Sequence, residues 1–255
     1  PADEGYFDSN GKFVRTKPPS NTNEPEVKNQ VVSEGYIDAD GEFVRHGKTA
    51  VFSQDGRLQI SEAEYFQGEL HGIEKQWDAN STYVVRTTSY SHGQKHGPSL
   101  EYYSSGQKKI ETPWLNGRRH GVRRMWQPTG QLYQDVAFVD GHEHGPQTEW
   151  FDTGEKYQEI YFDHGLCHGP VREWYRNGQL RTECQFVKGQ MHGEMRDFDE
   201  QGTLLTVSQF DHGTLLSERN PQIGPKETRG FTKQAFAVVE RDYDGRLEDH
   251  PPGSR

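Results

Sequence analysis

The stretch "DHGLCHGPVREWYRNGQL", residues 163–180, places His164, Cys167 and His168 within five positions. Histidine and cysteine are the usual ligands of zinc, which holds nitrogen at about 2.0–2.1 Å and sulfur at about 2.3 Å. The same histidines could instead relay protons, since imidazole changes charge near neutral pH. A metal site or a catalytic turn would be singular, so the first question is whether the pattern recurs.

It recurs throughout the chain. His-Gly doublets start at His46, His71, His96, His120, His144, His168 and His192, spaced by 25, 25 and then 24 residues. A second glycine stands four residues before most doublet glycines, at Gly68, Gly93, Gly117, Gly141, Gly165 and Gly189. Aromatics follow each doublet glycine by five residues: Phe52, Trp77, Tyr102, Trp126, Trp150, Trp174 and Phe198. Another aromatic column runs through Tyr65, Tyr90, Trp114, Phe138, Phe162, Phe186 and Phe210, and a glycine between the columns recurs at Gly56, Gly106, Gly130, Gly154, Gly178 and Gly202. Self-similarity at a fixed short period is the signature of a repeat architecture.

Each unit reads as a β-hairpin. "PVREWYR" and "LRTECQFV" are short runs rich in aromatic and β-branched residues, joined at Asn177-Gly178. Asn-Gly between such runs is a strong hairpin signal, and the expectation is a turn with positive φ at both residues. Twenty-four residues hold two strands and two turns, with no room for a helix. Where "DANST" replaces the turn glycine, Asn80 is the substitute most at ease in left-handed geometry. A lone hairpin is marginal, so neighbours must stack their aromatic columns. The fold class expected is all-β, an elongated antiparallel meander of repeated β-hairpins of about 24 residues.

This architecture limits the chemistry. Equivalent histidines of successive hairpins stand two strands apart, about 10 Å, too far to share an ion. Only His164, Cys167 and His168 could cluster within one turn, and the corresponding turns elsewhere lack cysteine. The doublets are therefore read as turn chemistry, each histidine packing on its turn or hydrogen-bonding across it; no metal and no cofactor is expected. "DADG" at 38–41 and "DYDG" at 242–245 bring glycine at position 4 rather than the position 6 of a calcium loop, and read as hairpin turns. No GxSxG, HExxH, P-loop or dinucleotide fingerprint occurs, and no copy breaks the repeat with a singular constellation, so the chain is not expected to be an enzyme.

Composition narrows the partners. Of 255 residues 30% are hydrophobic, and net charge is −10; mean hydropathy is −1.04. Residues 34–215 carry 27 acidic and 18 basic side chains. An acidic body repels phosphate backbones and anionic lipid, which argues against nucleic acid. No apolar run reaches membrane-spanning length, so stable membrane insertion is not expected either. A basic protein surface is the partner expected. Residues flanking the first aromatic column should share the opposite face: Glu101 and Tyr103, Glu149 and Phe151, Glu173 and Tyr175, Asp197 and Asp199. They form the candidate partner-binding face, aromatic anchors among carboxylates. Cys167 and Cys184 exclude a disulfide scaffold, and whether they pair is open.

The ends differ from the repeats. "EGYFDSNGKFVR" at 4–15 is echoed by "EGYIDADGEFVR" at 34–45, with a Pro- and Asn-rich linker between. The expected organisation is a duplicated segment and linker over 1–33, repeats over 34–217, and a cap and tail over 218–255. A start at Pro1 rather than Met is read as a hint of export, hence a periplasmic location with cytoplasm as the alternative.

"EWYRNGQLRTECQFVKGQMHG" (173–193) and "YYSSGQKKIETPWLNGRRHG" (102–121) resemble the variant MORN repeats of the bacterial YwqK family, often labelled antitoxins. The resemblance spans about residues 46–215. It implies an antiparallel hairpin-repeat binding module that neutralises a toxin in trans, with no active site to carry over. The expected function is thus an immunity or antitoxin protein that binds a cognate bacterial toxin, possible targets being lipid- or nucleic-acid-degrading effectors; the alternative is a membrane-associated MORN-type scaffold.

Overall fold

The computed structural model describes residues 5–7, 13–15, 29–78 and 81–222. Among them there is no helix, and paired strands are neighbours or near neighbours in the chain and run antiparallel. The chain divides into two compact units, Pro1–Gly130 and Gln131–Arg255. Strands of the first are Gly5–Phe7, Phe13–Arg15, Gln30–Ile37, Phe43–Phe52, Gln59–Phe66, Glu69–Leu70, Gly72–Trp77, Val84–Ser91, Gln94–Tyr102, Lys108–Leu115, Arg118–Arg119 and Gly121–Trp126. Those of the second are Leu132–Val139, His142–Trp150, Lys156–Asp163, Leu166–Trp174, Leu180–Val187, Gln190–Met191, Gly193–Phe198, Leu204–Asp211 and Thr214–Arg219. The fold is all-β, an open antiparallel sheet of sequential hairpins. Asn80 and everything after residue 222, including "DYDG", lie outside the described residues; the strands flanking Asn80 do pair, Trp77 with Val84.

Two kinds of turn alternate, and their assignment differs from the sequence expectation. Gly178 has φ +82°, but Asn177 is not in the left-handed region. Tyr175 N–H donates to Gln179 O (2.8 Å) and Gly178 N–H to Tyr175 O (2.9 Å), so a right-handed turn closes through one left-handed glycine. Glu173 pairs with Thr182 but Trp174 with Leu180, which leaves Arg181 as a bulge. This is the longer loop with a glycine bulge. Asn177 serves it through its side chain, Oδ1 accepting from Gln179 N–H (3.0 Å) and Nδ2 donating to Glu200 O (2.8 Å).

The two-residue turns lie at the other end of the hairpins. Gln67, His92, Asn116, Asp140, His164, Lys188 and His212 all have φ between 45° and 51°, each followed by a glycine that is also positive. Positive φ at both central residues matches the twist of the flanking strands. The glycine of the turn also reaches back: Gly189 N–H donates to Cys167 O, and Gly68, Gly93, Gly117, Gly165 and Gly213 make the same bond to Arg45, Leu70, Lys95, Glu143 and Met191, each at 2.8 Å. In every case the acceptor is the residue just before a doublet histidine.

The duplicated N-terminal segment continues the meander. Gly5↔Arg15, Tyr6↔Val14 and Phe7↔Phe13 repeat the register of Gly35↔Arg45, Tyr36↔Val44 and Ile37↔Phe43. Phe13 and Val14 then pair with Ser33 and Val32, so the first copy docks on the strand of the second. In "DADG", Asp38 Oδ1 accepts from Asp40 N–H (3.0 Å) and Glu42 N–H (2.9 Å), the self-bonded turn expected there.

Lys188 is exposed and sits in the left-handed region at φ 51°, a conformation costing roughly 1–2 kcal/mol for an ordinary L-residue. Lys188→Asn is expected to stabilise the protein by about 0.5–1 kcal/mol, because asparagine tolerates that geometry. Urea denaturation checks this; a lower midpoint for the variant would contradict the turn assignment.

Candidate binding face and histidine turns

Alternation along the strands separates two faces, and in the second unit one of them carries the core. Its central row runs through cross-strand neighbours Val136, Gln147, Ile160, Val171 and Cys184. Val136 and Val171 are each 2% exposed. Ile160, Cys167, Val171, Cys184, Phe186, Met191 and Met195 form one buried cluster, with Phe162 and Phe210 packed against it. Two rows in the first unit are built from smaller groups, Ser33, Thr49 and Ala63 being cross-strand partners, as are Thr88, Ser99 and Thr112, while Ile110 faces the buried Met125 in a third. Hydroxyls satisfy one another there, Thr49 Oγ1 with Ser33 Oγ at 3.1 Å and Thr88 Oγ1 with Ser99 Oγ at 3.2 Å.

Beside the apolar row of the second unit lies a polar one. Gln134, Glu149, Gln158, Glu173, Thr182, Asp197 and Thr206 follow each other as register partners. Donors and carboxylates alternate: Gln134 Nε2 to Glu149 Oε1 (2.8 Å), Gln158 Nε2 to Glu173 Oε1 (2.9 Å), Thr182 Oγ1 to Asp197 Oδ1 (2.9 Å). Three of the sequence-predicted residues, Glu149, Glu173 and Asp197, are thus brought together on the core-bearing face. Glu173 is only 6% exposed. Burial raises its pKa, aided by the charges of Asp197 and Glu149 and opposed by Arg181 and the Gln158 hydrogen bond.

The fourth carboxylate, Glu101, is the first unit's counterpart, and it is half-buried against Arg86 Nη2 at 3.2 Å. Tyr103, Phe151, Tyr175 and Asp199 do not continue the strands. Each opens a turn, donating its N–H to the residue four positions on. Tyr103 Oη donates to Trp126 O (2.8 Å) and Tyr175 Oη to Phe198 O (2.9 Å), tying each turn to the next hairpin. Phe151 packs against Tyr157 with centroids 5.1 Å apart and rings tilted by 59°, and lies under Arg176. Asp199 Oδ1 accepts from Gln201 and Thr203 N–H. The bulge after each turn breaks strict alternation, so simple face counting does not carry past the strand end.

On the opposite face of the second unit a row of alternating charges pairs internally. Glu159, Arg172, Glu183 and Arg196 are successive register partners, with ion pairs at 3.7, 3.9 and 3.1 Å. Acidity is also unevenly divided along the chain: residues 34–130 carry 12 acidic and 12 basic side chains, residues 131–215 carry 15 and 6. The whole surplus of the repeats therefore belongs to the second unit.

Histidines line the two-residue turns. In the first unit Tyr36, His46, Phe66, His71 and His92 make a chain of rings with centroids 5.1–6.0 Å apart. His168 Nδ1 accepts from Lys188 N–H at 3.4 Å, across to the next turn. Cys167 does not join His164 and His168: it is 4% exposed within the apolar cluster. The groups that do converge are His144, Asp163 and His164, and again His192, Asp211 and His212. Sequence spacing held that signal, since "DHG" occurs at both 163–165 and 211–213, nineteen residues after a doublet histidine.

Cys167 and Cys184 are both free thiols, raised by burial to about 11 and about 12 respectively. Thiolate is the reactive form, so Ellman's reagent at pH 8 is expected to modify neither within minutes in the native protein and both in guanidinium. Rapid native labelling would place them outside the core.

Glu173 supplies a second prediction. A carboxyl whose folded pKa is raised holds its proton more tightly folded than unfolded, so stability falls as pH rises from the ordinary glutamate value through the raised one. Glu173→Gln is expected to stabilise the protein at pH 7, with a gain that shrinks towards pH 4.5. Guanidinium titrations at both pH values test this; destabilisation at pH 7 would show that the charge is compensated.

Residues 95–116 and 168–188 match the family model described as MORN repeat variant. Each match runs from the second strand of one hairpin, through the longer loop, into the first strand of the next. The sequence has no significant match among curated proteins.

Proposed function

We propose that this MORN repeat protein is a binding module whose acidic second unit accepts a basic protein surface, and that the partner is a bacterial toxin or effector it neutralises. The reading is carried by one observation: the repeats' surplus negative charge falls entirely within residues 131–215, where Glu149, Glu173 and Asp197 share a row. Keeping a carboxylate as buried as Glu173 works against stability, and side chains kept at such a cost are a recognised mark of binding and catalytic sites. MORN-type repeats act in general as binding or scaffold repeats, which fits this role. The donors Gln134, Gln158 and Thr182 hold the carboxylates in fixed rotamers, so little side-chain entropy remains to be lost on binding. A cationic substrate cleft, as an enzyme acting on phosphodiesters or acidic lipids needs, is the complementary shape and charge.

The test begins with capture of partners from the native host on the immobilised chain, followed by measurement on the purified partner. One basic protein is expected, toxic when expressed alone and inhibited by the chain. Its association rate should fall at least tenfold between about 0.05 and 0.5 M salt, as steered encounters do. The triple variant Glu149→Gln, Glu173→Gln, Asp197→Asn should weaken binding with its fold intact by circular dichroism. An acidic partner, a partner whose activity is unaffected, or salt-resistant binding to anionic vesicles in place of a protein would overturn the reading.

A further inference from the structure

We propose that His144, Asp163 and His164, and independently His192, Asp211 and His212, form two equivalent binding sites for a borderline-soft divalent cation of the zinc class. The inference stands on the turn geometry alone and does not depend on the toxin-binding role.

The two clusters are built alike. His164 (φ 49°) and His212 (φ 45°) are the first residues of two-residue turns, and each follows an aspartate that ends a strand. In that conformation the ring folds back: His164 Nδ1 lies 2.6 Å from Asp163 Oδ1, and His212 Nδ1 2.6 Å from Asp211 Oδ1. A doublet histidine approaches the same oxygen from the preceding hairpin, His144 Nδ1 at 3.3 Å and His192 Nδ1 at 3.2 Å. The paired rings sit at the same 5.1 Å centroid distance, tilted by 71° and 63°. All three ligand atoms of each set lie within 4.8 Å of one another.

Two further features point to a cation. His144 Nδ1 and His192 Nδ1 are shielded from solvent and make no hydrogen bond, although a carboxylate oxygen is close by. A buried polar atom left in this way needs an explanation, and an ion between nitrogen and oxygen supplies one. The doublet-histidine contacts of 3.3 and 3.2 Å match the spacing required, because ligands about 2.0–2.1 Å from a tetrahedral ion stand about 3.3–3.4 Å apart. The 2.6 Å contacts are hydrogen bonds that open by about 0.7 Å to admit the ion. Two imidazoles and one carboxylate are a zinc-type donor set that leaves one position for water or for a group on a bound partner.

The neighbouring repeats are natural controls. The intervening turn has His168 with Val187 and Lys188, so carboxylate and second imidazole are both missing. Beside His96 the turn carries Leu115 and Asn116, whose Oδ1 lies 3.3 Å from the histidine, so the carboxylate and the second imidazole are again both missing. His71 and His92 pair their rings, but Ser91 replaces the aspartate. Among the described residues the complete set occurs twice, at an offset of 48 residues, two hairpins, which separates the sites by about 19 Å at a strand spacing of about 4.8 Å. Each site therefore takes its own ion.

The experiment is titration of the untagged full chain with ZnCl2 by calorimetry, with CoCl2 as a spectroscopic probe. Two equivalents of Zn²⁺ are expected, together with the visible absorption of low-symmetry Co²⁺. Asp163→Asn and Asp211→Asn should each remove one equivalent, weakening that site by more than the roughly 10–100-fold lost with an outer-shell partner. The double variant should bind neither ion at the site concentration, while His168→Ala leaves both equivalents. Both aspartates are exposed, so folding is checked by circular dichroism and is expected to be intact. Stoichiometry unchanged in the double variant, or no binding by the parent chain below about 1 mM, a range where affinity is only about 4 kcal/mol, would overturn the proposal.

Discussion

One backbone hydrogen bond organises the repeat: the N–H of the turn glycine donating to the carbonyl before the doublet histidine, as from Gly189 to Cys167 at 2.8 Å. Within each unit it joins a two-residue turn to the preceding one, outside the ordinary strand ladder. Both glycine columns are needed for it. Gly169, with φ +107°, lets the strand bulge, so that His168, Gly169 and Pro170 stand against Tyr161 alone. Gly189 supplies the positive φ that aims its N–H back. Stability then passes from neighbour to neighbour, the one-dimensional cooperativity of stacked repeats.

With the turns held this way, the strand positions are free to vary. The first unit fills two of its rows with hydroxyls and small groups, Ser33, Thr49, Ala63, Thr88, Ser99 and Thr112, beside the apolar pair Ile110 and Met125. The second unit uses Val136, Ile160, Val171 and Cys184, and places Met191 and Phe186 beside them. Apolar burial is concentrated there, as is the excess of acid over base. The outer row of Glu159, Arg172, Glu183 and Arg196 cancels its own charge. Exposed ion pairs of that kind contribute little to stability, but they leave the remaining acids to define the field around this unit.

The period, the hairpin and the all-β class were legible in the sequence because glycine and aromatic side chains answer to local geometry, which recurs in every copy. The choice between turn types was not. Asn177-Gly178 has the stronger two-residue signature, yet Lys188-Gly189 takes that turn, because bulge and inter-hairpin hydrogen bond fix where the chain must reverse. Alternation accounts for the strand residues Glu149, Glu173 and Asp197, which share one register row. It failed one residue past the strand end, where Tyr103 and Tyr175 enter turns and donate to Trp126 and Phe198. The histidine clusters were missed for a related reason. Comparing like positions sets histidines two strands apart, whereas the groups that meet are unlike positions, a doublet histidine and the turn that follows it.

That juxtaposition of unlike positions also bears on how such a chain acquires function. A ligand set confined to one repeat would have to fit within a single turn, where Cys167 shows the difficulty: its side chain is committed to the core. A set divided between a doublet histidine and the next turn draws on two loops already locked together by the glycine hydrogen bond. The scaffold then supplies the positioning, and two side chains, half-buried Val187 in place of Asp163 and exposed Lys188 in place of His164 in register, are what distinguish an inert turn from a ligand-bearing one. The polar row follows the same logic. Gln134, Gln158 and Thr182 differ in length and chemistry, but each occupies the donor position that register assigns and each holds the carboxylate across from it. Function in this fold is thus written at positions the backbone does not need, and read out through contacts between neighbouring copies.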